Sequence, residues 1–152
     1  MKIRIDDLQG DEIRRLLQEH LDDMYATSPA ESVHALDVEK LRHPEITFWT
    51  IWDDDILVGC IALKSIDEHH GEIKSMRTPR QLRRRGAAKA LLEHLIEQAR
   101  LQHYKRLSLE TGSVQFFEPA RQLYASFGFE LCPPFGDYAD DPNSVFMTIS
   151  LD

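Results

Sequence analysis

The sequence predicts a single α/β domain over residues 1–152, with one central, mixed and mostly antiparallel sheet and helices on both of its faces. A chain of 152 residues is the usual size of one domain and is long enough to bury a core. Its apolar pattern alternates between the periods of strands and helices, in the order β-α-α-β-β-β-α-β-α-β-β. No internal repeat, low-complexity segment or long linker divides the chain.

The N-terminal half is predicted to form one strand, two helices and three further strands. Asp53-Asp54-Asp55 is a turn signal that joins two of these strands as a hairpin. Ser28-Pro29 ends the first helix and Pro44 ends the second. We therefore expect strands at 2–5, 46–52, 56–66 and 71–78, and helices at 10–25 and about 31–42.

The C-terminal half is predicted to alternate helices with strands before a final pair of strands. Its first helix is strongly amphipathic, with Leu91, Leu92 and Leu95 on one face. Gly128 follows the second helix, where a left-handed residue commonly ends a helix. The last two strands are joined by a loop rich in Pro, Gly and Asp. We expect helices at 86–102 and about 117–127, strands at 106–110, about 129–132 and 144–151, and the loop at 133–142.

Composition narrows the classes of partner. The formal net charge of −8 opposes general binding to nucleic acid, whose phosphates attract positive charge, and suits a cationic amine. No apolar run has the length of a membrane span and the N-terminus lacks a signal peptide, so we expect a cytoplasmic protein without a membrane partner. Cys60 is expected to be a core thiol, and neither its spacing from Cys132 nor the adjacent His69 and His70 predicts a metal site.

A run of arginines lies between a predicted strand and the amphipathic helix. Arg83-Arg84-Arg85-Gly86-Ala87-Ala88 offers no side chain of the usual capping set, so the first N–H groups of the helix lack a partner. Small residues let another molecule approach this backbone, and uncapped N–H groups at a helix N-terminus bind anions. With Arg80, four arginines add positive charge where a pyrophosphate would sit. The alternative is a solvated basic turn.

Three segments together resemble the GNAT (Gcn5-related N-acetyltransferase) superfamily. Arg83-x-x-Gly86-x-Ala88 matches the R/Q-x-x-G-x-G/A signature, with a strand before it and a Leu-rich helix after it. The segment 123–129, LYASFGF, is similar to the second family motif, in which a helix tyrosine precedes a Gly-Phe. The tail over 135–147 resembles a subgroup of small bacterial N-acetyltransferases. The resemblance covers nearly the whole chain and implies a GNAT-like fold.

The resemblance also implies acetyl-CoA as acyl donor and no metal. The family's cofactor lies where two strands splay apart, so the backbone of Met76, Arg77 and Thr78 would contact the pantetheine arm. The pyrophosphate would be held mostly by backbone N–H groups of the arginine turn, which comprises Arg83, Arg84, Arg85, Gly86, Ala87 and Ala88. One departure is Phe117, since the family often has Asn seven residues before the motif tyrosine.

Acetyl transfer to an amine needs a neutral nitrogen, a donor for the oxyanion and a donor for the departing thiolate. The resemblance places Tyr124 near the sulfur and the N–H of Met76 at the oxyanion; a packed core aromatic is the alternative for Tyr124. Glu72 is the first candidate for the base, because strand alternation puts it on one face with Lys74 and Met76. A surface carboxylate paired with Lys74 is the alternative, and Glu110 is the second candidate.

The acceptor is expected to be a small-molecule amine. In the family the first two helices and the last loop wall the acceptor site, which nominates His34 and Tyr138. Glu110, on the strand next to that of Glu72, is also expected to contact the acceptor. Asp137 and Asp140 would suit a cationic acceptor, although solvated loop residues are the alternative. A homodimer is expected as the assembly, because two-fold dimers are the commonest homo-oligomers.

Three other functions stay open from the sequence. One is an acetyltransferase that acts on a protein or peptide amine. Another is an acyl-CoA sensor that binds without transferring, against which Tyr124 and Glu72 argue. The last is an interaction protein whose arginines at 80–85 bind nucleic acid, against which the acidic remainder argues.

Overall fold

The computed structural model of the chain describes residues 1–33, 38–79, 82 and 86–151. Seven strands and four α-helices lie in these ranges. The strands are Lys2–Ile5 (β1), Ile46–Asp53 (β2), Ile56–Ser65 (β3), His70–Arg77 (β4), Arg106–Gly112 (β5), Glu130–Leu131 (β6) and Ser144–Ser150 (β7). The helices are Asp11–Thr27 (α1), Val38–Leu41 (α2), Ala87–Leu101 (α3) and Glu118–Ser126 (α4).

All seven strands join one sheet, in the order β1-β2-β3-β4-β5-β7-β6. The pair β4–β5 is parallel and every other neighbouring pair is antiparallel. The connection between β4 and β5 therefore crosses over the sheet, and α3 lies in this crossover. The predicted mixed, mostly antiparallel sheet is confirmed.

Two apolar clusters cover the two faces of the sheet. On β3 the side chains alternate: Ile61 and Leu63 belong to the cluster of α3, whereas Cys60 and Ala62 belong to the cluster of α1. The Leu-rich face of α3 packs on the first face, and Ile13, Leu16 and Leu17 of α1 pack on the second. This confirms the expectation of helices on both faces.

Local turn chemistry follows the sequence at two positions. Asp54, in the β2–β3 hairpin, has φ of 52°, a left-handed conformation that Asp tolerates better than most residues. Gly128 has φ of 99° directly after α4, as the helix-ending glycine was predicted to have.

The predicted helix at about 31–42 is wrong in its first part. Ala30–Ser32 forms a 3-10 turn and Val33 is extended, with φ of −89° and ψ of 114°. The hydroxyl of Ser32 donates a 2.6 Å hydrogen bond to Asp141 in the distant loop, so a tertiary contact holds this segment. Residues 34–37 lie outside the described residues, and α2 begins at Val38.

A bulge in β4 overturns the predicted common face of Glu72, Lys74 and Met76. Lys74 is paired with Ala62 and Arg77 with Cys60, so two residues of β4 stand opposite Ile61 alone. Ser75 has φ of 55° at this bulge, and the thiol of Cys60 donates to its carbonyl at 3.2 Å. Met76 therefore packs with the α3 cluster, while Glu72 and Lys74 lie on the α1 face.

Candidate active site

The two parallel strands separate in the middle of the sheet. They are paired only as far as Ile73 and Leu109, although β4 continues to Arg77 and β5 to Gly112. A cavity of about 400 Å³ opens where they part, and we call it the cleft. Its walls come from β4, β5, α1, α4, the start of α3, the turn before α4 and the loop before β7. The predicted splaying of the strands is therefore present in the fold.

The cleft has two sides of different chemistry. The α4 side is mainly apolar and carries Met76, Phe116, Phe117, Pro119, Ala120, Leu123 and Tyr124. The α1 side carries most of the titratable groups, namely His20, Glu72, Lys74, Arg77, Glu110 and Tyr138. A long apolar chain fits the first side, and proton transfer or polar recognition fits the second.

Tyr124 is buried in the wall on the α4 side. Its hydroxyl donates to the sulfur of Met76 at 3.7 Å, and its ring packs on Phe129 at a centroid distance of 5.7 Å. Burial, aided by the negative charge of Glu110, raises the pKa of the Tyr124 phenol. The phenol therefore stays protonated at neutral pH and is a hydrogen-bond donor inside the cleft. Tyr124 is therefore packed in the core and also lines the cleft.

Glu72 is buried, not a surface carboxylate. It accepts a 2.6 Å hydrogen bond from the hydroxyl of Tyr138 and lies 3.2 Å from the ammonium of Lys74. Lys74 in turn donates to the Tyr138 hydroxyl at 3.0 Å. The three side chains form a closed triad, so a proton arriving at Glu72 would have to compete with both existing donors.

Glu110 is the carboxyl whose acidity is most suited to proton transfer at neutral pH. Burial raises its pKa to about 7, against the opposing influence of the Ser144 hydroxyl and the Lys74 charge. A base works best when its pKa is near the operating pH. Glu110 and Tyr124 both line the cleft and are close enough for the charge of one to affect the pKa of the other.

The raised pKa of Glu110 predicts a dependence of stability on pH. A carboxyl whose pKa is higher in the folded than in the unfolded state makes the folded state less stable as pH rises between the two values. As the pH rises from 4.5 to about 7, the free energy of unfolding should fall by up to about 3 kcal/mol on account of Glu110. Urea titrations of wild type and Glu110→Gln between pH 5 and 8 measure this, and parallel pH curves for the two proteins would contradict it.

The predicted cofactor residues lie around the cleft in different ways. Thr78 and Ala88 line it, as do Met76 and Arg77. Arg77 is buried, and its guanidinium binds Glu19 at 2.6 Å and Asp23, both on α1. Ala87 packs in the core of the α3 face and contributes no side chain to the cleft.

The N-terminus of α3 has the uncapped geometry that the sequence predicts. Gly86 precedes the helix with φ of 81° and no side-chain cap. Apart from its chain neighbours, no atom of the described residues lies within 4 Å of a methyl group added at Gly86, so this part of the structure leaves room for a ligand at the backbone there. Arg83, Arg84 and Arg85 of the predicted anion site, and His34 of the predicted acceptor site, lie outside the described residues.

Sequence reasoning missed His20 in the wall of the cleft. It lies on α1 beside Arg77, and burial together with the Arg77 charge lowers its pKa to about 4, so the imidazole is neutral. In the sequence His20 is one polar residue of an amphipathic helix, and only the packing of α1 over β4 identifies it. The predicted Asp137 and Asp140 are exposed and do not line the cleft, which favours the solvated alternative for both.

Phe117 covers the backbone of Gly112 at the end of β5. An added methyl group at Gly112 would overlap the Phe117 ring, so Gly112→Ala must displace this wall of the cleft. We expect destabilisation of about 2–3 kcal/mol in urea titrations, the upper range for overpacked sites.

Gly10→Ala is the matched control, because its added methyl group makes only ordinary contacts, 3.6 Å from the Glu12 carboxylate at the closest. It should cost less than about 1 kcal/mol. Equal stability of the two variants would show that the Phe117 ring moves aside at little cost.

Comparison with known proteins agrees with this geometry. Residues 12–129 match the sequence profile of the Acetyltransferase (GNAT) family. The chain belongs to this family. It is 60% identical over 151 residues to the uncharacterized N-acetyltransferase YsnE of Bacillus subtilis, and the alignment covers 99% of this chain and 100% of YsnE. The predicted family, its subgroup of small bacterial members and the enzyme class, an N-acetyltransferase, are confirmed.

Solved GNAT structures share the whole fold. A candidate acyl-CoA N-acyltransferase of Klebsiella pneumoniae has a TM-score of 0.80 at 27% identity, over 99% of this chain and 97% of that one. A GNAT acetyltransferase of Elizabethkingia anophelis, solved with acetyl-CoA bound, has a TM-score of 0.68 at 18% identity, over 98% and 97%. The similarity to the Elizabethkingia anophelis structure shows a common fold.

Two further features of the described ranges bear on partners. None of the helices placed there has the length and apolarity that crossing a membrane requires. Within the same ranges, no three side chains of His, Cys, Asp or Glu come together as ligands for a metal ion.

Proposed function

We propose that this GNAT enzyme transfers the acetyl group of acetyl-CoA to the primary amine of a small molecule by direct attack in a ternary complex. The observation that carries the proposal is the pair Glu110 and Tyr124, a base and a neutral donor on opposite sides of one cleft. The cleft lies between two strands that stop pairing, and this leaves backbone groups of β4 available to an extended chain.

The cleft fits acetyl-CoA as donor substrate. The apolar α4 side suits the pantetheine arm, alongside Met76, Arg77 and Thr78 of β4. The uncapped α3 N-terminus at Gly86 suits the pyrophosphate, with Arg83, Arg84, Arg85, Ala87 and Ala88 as its proposed neighbours. This arrangement directs the thioester toward Tyr124.

Each residue then has one role in the transfer. The amine enters as an ammonium and gives a proton to Glu110, and its lone pair attacks the thioester carbonyl carbon. A carbon–nitrogen bond forms, and the N–H of Met76 stabilises the oxyanion. The carbon–sulfur bond breaks as the oxyanion collapses, and Tyr124 gives its phenol proton to the leaving thiolate. The nitrogen loses its second proton, which restores the phenol of Tyr124. The products are an N-acetyl amide, CoA and one proton.

Direct attack is favoured over an acetyl-cysteine intermediate. Neither cysteine lines the cleft. Burial raises the pKa of Cys60 to about 12, so its thiolate is scarce at neutral pH. We assign Glu72 to a different role, because Lys74 and Tyr138 already occupy its carboxylate.

A compact acceptor is favoured over a protein chain. The loop before β7 covers the α1 side of the cleft: Tyr138 is bonded to Glu72, and Asp141 to Ser32. An extended peptide would have to displace both contacts. Small amines, with His34, Glu110 and Tyr138 as the acceptor wall, need no such opening.

The test combines binding with turnover. We expect acetyl-CoA to raise the melting temperature, and a panel of primary amines to release free CoA thiol. Initial rates at varied amine and acetyl-CoA should give intersecting double-reciprocal lines. Parallel lines would contradict the ternary complex. A thermal shift without turnover of any amine would support the sensor instead, and turnover of peptides alone would support a protein acceptor.

A further inference from the structure

Each cationic side chain that lines the α1 side of the cleft is bound to at least one carboxylate. Lys74 lies 3.2 Å from Glu72, and the same Glu72 oxygen accepts from Tyr138. Arg77 binds Glu19 and Asp23. Among the cleft-lining residues that the structure describes, Glu110 is therefore the one charged group without an opposite charge bound directly to it.

This pairing limits the charge that an acceptor can carry beside its amine. A carboxylate or phosphate group would need a cation, but the charges of Lys74 and Arg77 are already balanced by bonded carboxylates. A second ammonium would need a carboxylate in the cleft, where Glu72 is bonded to Lys74. Glu19 and Asp23, which bind Arg77, do not line the cleft. Moving an uncompensated charge from water into such a site is costly. The carboxylate of Glu110 is needed to accept the proton of the reacting amine.

An uncharged polar partner is available. His20 faces the cleft from α1, and no hydrogen bond of its ring occurs within the described residues. Because its imidazole is neutral, one ring nitrogen donates and the other accepts. A hydroxyl group matches this pair of functions, since it also both donates and accepts.

We propose that the acceptor is a monoamine whose second polar group is uncharged, a hydroxyl in the simplest case, and that His20 binds this group. The inference rests on the proposed function, whose amine it specifies further. It makes His20 a specificity residue, and it makes the Glu72–Lys74 pair the feature that excludes charged acceptors.

Three amines of equal length test the charge rule. 3-Aminopropan-1-ol carries a hydroxyl group, β-alanine a carboxylate and 1,3-diaminopropane a second ammonium. We expect kcat/KM for the amino alcohol to exceed both others at least tenfold. Tyramine and tyrosine repeat the comparison at larger size. Equal or faster acetylation of β-alanine, 1,3-diaminopropane or tyrosine would overturn the inference while leaving the proposed function in place.

His20→Phe tests the specificity residue. It keeps a planar ring and removes the hydrogen bond, so the preference for 3-aminopropan-1-ol over n-butylamine should fall about tenfold, a loss of one good hydrogen bond. A merely structural role would lower the rates of both amines equally, leave their ratio unchanged and overturn the assignment.

Glu72→Gln tests the paired charge by releasing Lys74. The ratio of kcat/KM for β-alanine to that for 3-aminopropan-1-ol should rise at least tenfold, whatever the absolute rates. Glu97→Gln, an exposed position on α3, is the matched control and should leave the ratio unchanged. An unchanged ratio in Glu72→Gln would overturn the inference. No turnover of any amine by wild type that binds acetyl-CoA would overturn the proposed function and the inference with it.

Discussion

Replacing Glu110 with glutamine should lower kcat/KM for amine acetylation by about 10²- to 10⁴-fold, the range typical of a lost general base. Glutamine keeps the size of the side chain and cannot take a proton from the ammonium. Wild-type kcat/KM should rise with pH through the Glu110 pKa of about 7, since only the ionised carboxylate accepts the proton. This rising limb of the pH profile of kcat/KM should be missing in Glu110→Gln, as initial rates between pH 5.5 and 9 would show.

Two controls separate this result from unfolding or from a different base. Glu110→Gln should be at least as stable as wild type at pH 8, because it removes a buried carboxylate whose ionisation opposes folding. Glu72→Gln should keep the limb near pH 7, although its rates change. If instead Glu72→Gln loses the limb and Glu110→Gln keeps it, Glu72 is the base and the first sequence-based choice is correct.

Much of the fold follows from local signals in the sequence. The leucines of α3 recur at helical spacing, and the structure buries them. Gly128 has a positive φ after α4, as its position past the end of the predicted helix indicates. These features depend on near neighbours in the chain, so periodicity and turn chemistry are enough to find them.

The parts that sequence reasoning missed depend on distant neighbours. Ser75 takes a left-handed conformation that is uncommon for serine and that the sequence does not predict. The resulting bulge moves Met76 to the α3 face of the sheet. Ser32 is not part of the predicted helix, because its hydroxyl donates a hydrogen bond to Asp141, 109 residues away. The acidity of Glu110 arises from burial by other elements, so the sequence could rank it only second to Glu72.

Tyr124→Phe should lower kcat by about 10²-fold while KM for acetyl-CoA changes less than about threefold. The variant keeps the ring that packs on Phe129 and loses only the hydroxyl, whose one hydrogen bond within the described residues is to the sulfur of Met76 at 3.7 Å. Loss of so weak a contact costs little stability, so the effect should fall on the departure of the thiolate. Steady-state kinetics with a saturating amine would measure it.

Tyr104→Phe is the matched control, because Tyr104 packs against the same apolar cluster but does not line the cleft. Its kcat should stay within about twofold of wild type, since the hydroxyl it loses lies away from the reacting atoms. If Tyr124→Phe also keeps a wild-type kcat, the tyrosine is a core aromatic and the leaving thiolate takes its proton from water. A large fall in kcat for Tyr124→Phe alone would instead place the phenol at the sulfur, because both variants lose the same group from the same kind of packing.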